Sequence, residues 1–138
     1  MTEVTIPIRW RDVDNYGHVN NAVYLTYLEW ARDEWIQSVV GSVADTWDFV
    51  LAHAEIDYRQ ELTQDDGEVI VRCRLDRIGT SSVRTREEIR KRDGTLSAEA
   101  SAVIVPKDAK AGGSRPLTDQ ERKLLEAEKE ADEHVGDL

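Results

Sequence analysis

The chain has 138 residues, and its 28 Asp and Glu outnumber its 18 Lys and Arg, for a net charge of −10 and a pI near 4.7. That length suits one domain with a single core. The acidity excludes nucleic acid and anionic membrane as partners, since both need a basic surface, and no apolar run approaches a membrane span. A single cysteine, Cys73, excludes an internal disulfide and any zinc-type spacing.

The opening MTEVTIPIRW has no basic or apolar leader region, so a cytoplasmic protein is expected. The acidic balance, with 13 Arg to 5 Lys, fits a high-salt cytoplasm and fits an ordinary acidic protein from a GC-rich genome equally well.

Residues 4–10 alternate Val4, Ile6, Ile8 and Trp10 with polar positions, which predicts a strand. Pro7 removes an N–H donor and puts that strand at an edge. A polar loop, residues 11–19, leads into a predicted helix over 21–40. Tyr24, Leu28, Ala31, Trp35 and Val39 form its apolar stripe, widened by Val23, Leu25, Tyr27 and Ile36; Thr26, Glu29, Asp33 and Gln37 line the opposite side. Asn20 or Asn21 serves as N-cap and Gly41 as the stop.

Four strands follow, over 48–58, 68–77, 82–92 and 95–105, read as an antiparallel meander. Turn signals separate them at Asp65-Asp66-Gly67, Gly79 and Asp93-Gly94. Small residues (Ala98, Ala100, Ala102) on the last strand leave room for the helix. Residues 106–116 are a linker by composition. A helix then starts with Thr118 and Glu121 as a capping box. Its thin apolar content predicts a surface or mobile position. The pattern is α+β, one buried helix against one curved sheet.

Between Arg9 and Asn21 the chain carries more polar residues than a helix cap needs. The order of elements together with Asp12-x-Asp14-x-x-Gly17-His18-Val19-Asn20-Asn21-x-x-Tyr24 resembles the hotdog-fold acyl-CoA thioesterases of the 4-hydroxybenzoyl-CoA thioesterase type. Weaker echoes are Glu55-Ile56-Asp57-Tyr58, Gly79-Thr80-Ser81-Ser82 and Asp93-Gly94. The resemblance covers about residues 3–106 and implies a hotdog domain over 1–106, with a linker and C-terminal helix over 107–138. The implied fold is a five-stranded antiparallel sheet wrapped around one long central helix. The implied reaction is hydrolysis of an acyl-CoA thioester, with no cofactor or metal, in a homodimer or homotetramer.

Thioester hydrolysis needs a base or nucleophile and a positive site for the developing oxyanion. Asp14 precedes the helix, whose free N–H groups and dipole would polarise a carbonyl oxygen and keep the acid ionised. The resemblance makes Asp14 the catalytic carboxylate, the Asn21 backbone N–H the oxyanion donor, and Asp12 structural. It adds Gly17, Asn20, Tyr24 and Tyr58 as substrate-binding candidates. Gly17 lets the loop turn and lets substrate approach the backbone. His18 is the rival base, though a packing or hydrogen-bonding histidine explains it as well. Glu29 is the alternative acid, because some family members use a helix Glu.

His53, Glu55 and Asp57 share a strand face, but two acids and one His make a weak metal set. Arg84, Arg86, Arg90, Lys91 and Arg92 form a local basic cluster suited to the phosphates of coenzyme A. A hotdog hydratase is disfavoured by the Asp14–His18 spacing and the lack of an intervening Pro. A non-catalytic acyl-CoA binding module is the remaining alternative.

Overall fold

A computed structural model describes residues 1–135. The elements run β1 (Thr2–Pro7), α1 (Asn21–Val40), β2 (Phe49–Tyr58), β3 (Glu68–Ile78), β4 (Val83–Lys91), β5 (Leu96–Pro106) and α2 (Asp119–Val135). The five strands form one antiparallel sheet in the order β1-β3-β4-β5-β2.

α1 lies against this sheet with the expected stripe inward: Tyr24, Tyr27, Leu28, Ala31, Trp35, Ile36 and Val39 are all buried. They meet Val69, Val71, Cys73, Leu75, Val83 and Ile89 from the inner faces of β3 and β4. Ala98 and Ala102 of β5 are fully buried, as the small-residue pattern anticipates. Gly41 ends the helix, donating its N–H to the Gln37 carbonyl. A Cβ at Gly41 would collide with that same carbonyl oxygen, so close approach selects the glycine.

Three features differ from the sequence expectation. The four later strands are not a continuous meander: β2 pairs with β5, and β3 pairs with β1 and β4. The connection 59–67 leaves β2 and passes the start of α1, burying Leu62, before it enters β3. Trp10 does not extend β1; it stands in a single 3-10 turn and is 85% exposed. α2 is not a loose surface helix. Leu117 and Leu125 enter the same core, and Thr118 and Glu121 form the expected capping box at 3.1 and 2.8 Å. β1 reaches only as far as Cys73 on β3, and α2 packs against β3 and α1, with Arg122 donating to the Gly79 carbonyl at 2.9 Å. The helix thereby covers sheet edge that β1 leaves open.

β2 is the opposite edge. Most of its residues are exposed on both faces, Val50, Leu51 and Tyr58 among them. Among the described residues no helix is long and apolar enough to cross a membrane.

The core also holds an ion pair that the residue pattern does not announce. Arg32 donates Nε and Nη2 to the Glu87 carboxylate at 2.7 Å each, and Thr85 Oγ1 adds a third bond at 2.7 Å. Burial works against the Arg32 charge, but the bonds to Glu87 outweigh it and raise its pKa. Burial pushes the neighbouring Cys73 thiol well above its ordinary range, so it stays protonated.

Candidate active site

The loop before α1 is built around Asp12. Its carboxylate, 2% exposed, accepts from the Arg9 backbone N–H at 2.9 Å, from Arg9 Nη2 at 3.0 Å and from Tyr27 Oη at 2.8 Å. Burial opposes its charge, yet these bonds hold the Asp12 carboxyl below the usual range. Burial and the Asp12 charge together push the Tyr27 phenol up. The Asp12 carbonyl accepts the Asn20 N–H at 2.9 Å, which ties both ends of the loop together. The buried acid is thus structural, as the motif implies.

Between those ends Val13 and Val19 form an antiparallel bridge, and Asp14 N–H donates to the His18 carbonyl at 3.0 Å. The turn needs φ = +86° at Gly17, which a side chain would strain. Asp14 Oδ1 accepts the Tyr16 N–H at 2.9 Å, and its Oδ2 lies 3.8 Å from His18 Nδ1. His18 Nδ1 is also 3.3 Å from the Val19 carbonyl, and its ring stacks on Tyr16 at 6.0 Å between centroids. The two candidate bases are therefore neighbours, and the histidine is engaged by its surroundings on several sides.

The first turn of α1 follows at once. Asn20 is the N-cap: its Oδ1 accepts the Ala22 N–H at 2.9 Å, and its carbonyl accepts the Val23 N–H at 2.9 Å. Asn20, one of the two N-cap candidates of the sequence and also a substrate-binding candidate, has its amide oxygen committed to the cap. The Asn21 N–H has no acceptor among the described residues. No acid lies in the first turn of the helix, so the dipole's positive end is not offset from within it. Asn20, Asn21 and Ala22 are exposed and Asp14 partly so, which leaves this corner open on one side.

Tyr24 and Tyr58 reach the same corner from below. Tyr24 is buried and its Oη accepts the Leu62 N–H at 3.1 Å; the Leu62 carbonyl in turn accepts the Val19 N–H at 2.7 Å. Tyr58 meets Tyr24 edge-on at 5.0 Å and donates its hydroxyl to the Asn21 carbonyl at 2.9 Å. The role of Leu62 carries no sequence signal, because a lone Leu in a polar connection looks like any other.

Other candidates lie elsewhere. Glu29 is on the exposed side of α1, about 12 Å along the axis from Asn21. Its neighbour Asp33 has a raised pKa, from burial first and then from the Glu29 charge. His53, Glu55 and Asp57 face away from α1; His53 Nε2 pairs with Glu55 Oε1 at 2.8 Å, and among the described residues no group could hold a metal ion. Arg84, Arg86 and Arg90 also face away from α1. They contact Ser101 at 2.9 Å, Asp76 at 3.8 Å and Glu88 at 3.0 Å respectively, while Lys91 pairs with Asp66 at 3.5 Å.

A wrapped helix with this loop at its start is the hotdog arrangement of thioesterases, and the chain belongs to the thioesterase-like superfamily, whose family model matches residues 8–133. The match runs on through most of α2. The chain is similar to a thioesterase from Thermus thermophilus solved with coenzyme A and zinc: 32% identity, 94% of each chain covered, TM-score 0.83. It is also similar to a predicted thioesterase from Bacillus stearothermophilus, at 26% identity over 92% of this chain and 95% of that one, TM-score 0.82. A 1,4-dihydroxy-2-naphthoyl-CoA thioesterase from Synechocystis, 20% identical over 90% of this chain and 94% of that one, shares the fold at TM-score 0.73. No protein of curated function matches the sequence. The protein is thus an enzyme of the thioesterase class.

Proposed function

We propose that the protein hydrolyses an acyl-CoA thioester to the free acid and coenzyme A, with Asp14 as the catalytic carboxylate and the Asn21 N–H as oxyanion donor. The single observation that carries this reading is the Asn21 N–H. In a first turn where Ala22 and Val23 donate to Asn20, it alone of these three is left without an acceptor among the described residues. A thioester oxygen seated there meets a hydrogen bond and the helix dipole together. In the water route, the Asp14 carboxylate takes a proton from water as the oxygen attacks the carbonyl carbon. The C–O bond forms, the tetrahedral oxyanion is held at Asn21, and its collapse breaks the C–S bond. The thiolate of coenzyme A leaves and takes up a proton. In the nucleophile route, Asp14 attacks first and water then cleaves the anhydride. Coenzyme A as leaving group is supported by the Thermus relative, which was solved with it.

The working unit in this reading is a homodimer or a larger assembly. β2 is an exposed edge strand, and the corner at Asn21 is open on one side. A second subunit added at β2 would continue the sheet and supply the missing wall, bringing substrate contacts near Gly17, Tyr24 and Tyr58. Sedimentation should show a dimer at micromolar concentration; an active monomer would overturn this part.

The decisive experiment is hydrolysis of an acyl-CoA panel by wild type, Asp14→Asn and His18→Ala. Asp14→Asn should lose about 10²–10⁴-fold in kcat, the usual contribution of one essential base, while keeping the fold. Near-wild-type turnover in Asp14→Asn with loss in His18→Ala would reverse the roles. No hydrolysis by the wild type, with acyl-CoA bound, would make the chain a binding module.

A further inference from the structure

We propose that Tyr58 is a positioning residue: its hydroxyl clamps the first peptide unit of α1 and thereby aims the free Asn21 N–H. This rests on the reading of Asn21 as oxyanion donor.

The carbonyl of Asn21 and the N–H of Ala22 belong to one planar peptide group. That group is gripped at both ends, by Tyr58 Oη on the carbonyl at 2.9 Å and by Asn20 Oδ1 on the N–H at 2.9 Å. The preceding group, Asn20 to Asn21, is held through the Asn20 carbonyl, which accepts the Val23 N–H. Its other end is the Asn21 N–H. Both planes flanking Asn21 are therefore fixed, and the unpartnered donor points in one direction. Helix ends otherwise fray, and a donor that must reorient as charge develops gives up part of its value, since preorganisation is the source of the effect.

Tyr58 is well placed to act this way and has little other reason to be fixed. It ends β2, an edge strand, and is 45% exposed, so burial does not hold its ring. Tyr24 does, through the edge-on contact at 5.0 Å. Tyr24 is buried, and its own hydroxyl is anchored by the Leu62 N–H. The chain of contacts runs Leu62, Tyr24, Tyr58, Asn21 and ties the 59–67 connection to the helix start. The Tyr58 phenol is protonated at neutral pH at its ordinary value near 10, and partial desolvation only moves it further up, so it remains a hydrogen-bond donor.

Tyr58→Phe removes only the hydroxyl and keeps the ring on Tyr24. Its kcat should fall about three- to tenfold, the range for one neutral hydrogen bond, with KM within about twofold and the melting temperature nearly unchanged. A spectroscopic readout separates aim from stability. Benzoyl-CoA labelled with carbon-13 at the thioester carbonyl is bound, at saturation verified by calorimetry, to Asp14→Asn, and the carbonyl stretch is read by infrared difference. A donor at Asn21 lowers that frequency, and Asp14→Asn/Tyr58→Phe should lose part of the shift. If the shift and kcat are both unchanged by Tyr58→Phe, the positioning role is overturned while the Asn21 reading stands. A lower melting temperature with the shift intact also overturns it, leaving Tyr58 a stabilising residue. If Asp14→Asn itself shows no shift with ligand bound, the Asn21 reading falls and this inference with it.

Discussion

α1 carries two polar clusters built on opposite principles. At mid-helix, Arg32 is buried and paired with its counterion: Nε and Nη2 reach Glu87 as a bidentate pair, and the Thr85 hydroxyl donates to the same carboxylate. At the N-terminus, polar groups are gathered and then left short, with the Asn21 N–H unpartnered among the described residues and one oxygen of Asp14 facing His18 at 3.8 Å. A buried charge needs a counterion and hydrogen bonds to offset its desolvation, whereas a site for chemistry must keep a donor and an acceptor in reserve for the substrate. On the proposed mechanism, the degree of satisfaction, more than the number of polar residues, is what would distinguish structural polarity from functional polarity in this helix.

The sharpest way to test that contrast is to cross the two clusters. Glu87→Gln leaves the Arg32 charge buried without its counterion and should cost about 3–5 kcal/mol of stability. That corresponds to roughly 10–15 °C in melting temperature for a chain of this size. Asp14→Asn, expected on the proposed mechanism to lose most turnover, should shift stability by no more than about 0.5 kcal/mol, as for a surface substitution. The double variant Arg32→Met/Glu87→Leu should regain most of the loss, because a matched apolar pair replaces the ion pair at little net cost. Calorimetry on the wild type and these three variants checks all of this; a large melting-temperature drop in Asp14→Asn would dissolve the distinction.

A smaller effect is expected from the acid that belongs to the structural side of the loop. The folded-state pKa of Asp12 lies below its ordinary value of 3.8. Its contribution is therefore fully present above pH 3.8 and is lost as pH falls through the lower folded value. Unfolding free energy of the wild type should decline in that acid window, and Asp12→Asn should show a flatter acid limb, measured by urea titration between about pH 2 and 5. Equal slopes in both proteins would remove Asp12 from the loop's stability.

The smallest expected effect concerns the charge as a whole. With 28 acids against 18 bases, repulsion at 0.1 M salt acts over a Debye length of about 10 Å, which shrinks to about 3 Å at 1 M. The melting temperature should rise modestly from about 0.1 M to about 2 M KCl. Loss of the folded assembly at low salt would favour adaptation to a high-salt cytoplasm, and full stability at low salt would leave only ordinary acidity.

Much of this protein is local and so was legible in the chain. The stripe Tyr24, Leu28, Ala31, Trp35 and Val39 follows from helical period, the Asn20 cap and the Thr118–Glu121 box from side chains bonding their own neighbours, and the Asp93-Gly94 turn from backbone preference. The density of Asp, Gly, His and Asn before α1 also pointed to the corner where Asp14 and Asn21 now stand. What tertiary structure decided is everything that joins distant residues. β2 lies at the far edge beside β5, and the connection that follows it is bonded past the helix start at Leu62. Arg32 found Glu87 across 55 positions, and the Tyr58 hydroxyl found the Asn21 carbonyl across 37. Trp10 fits a strand pattern yet sits in a 3-10 turn, because the bonds from Arg9 to Asp12 take the backbone there first. Periodicity and capping are properties of adjacent residues, written in order along the chain. Which edge a strand joins and which free donor a hydroxyl leaves exposed depend on the packing of the whole, where burial and bond satisfaction are settled together.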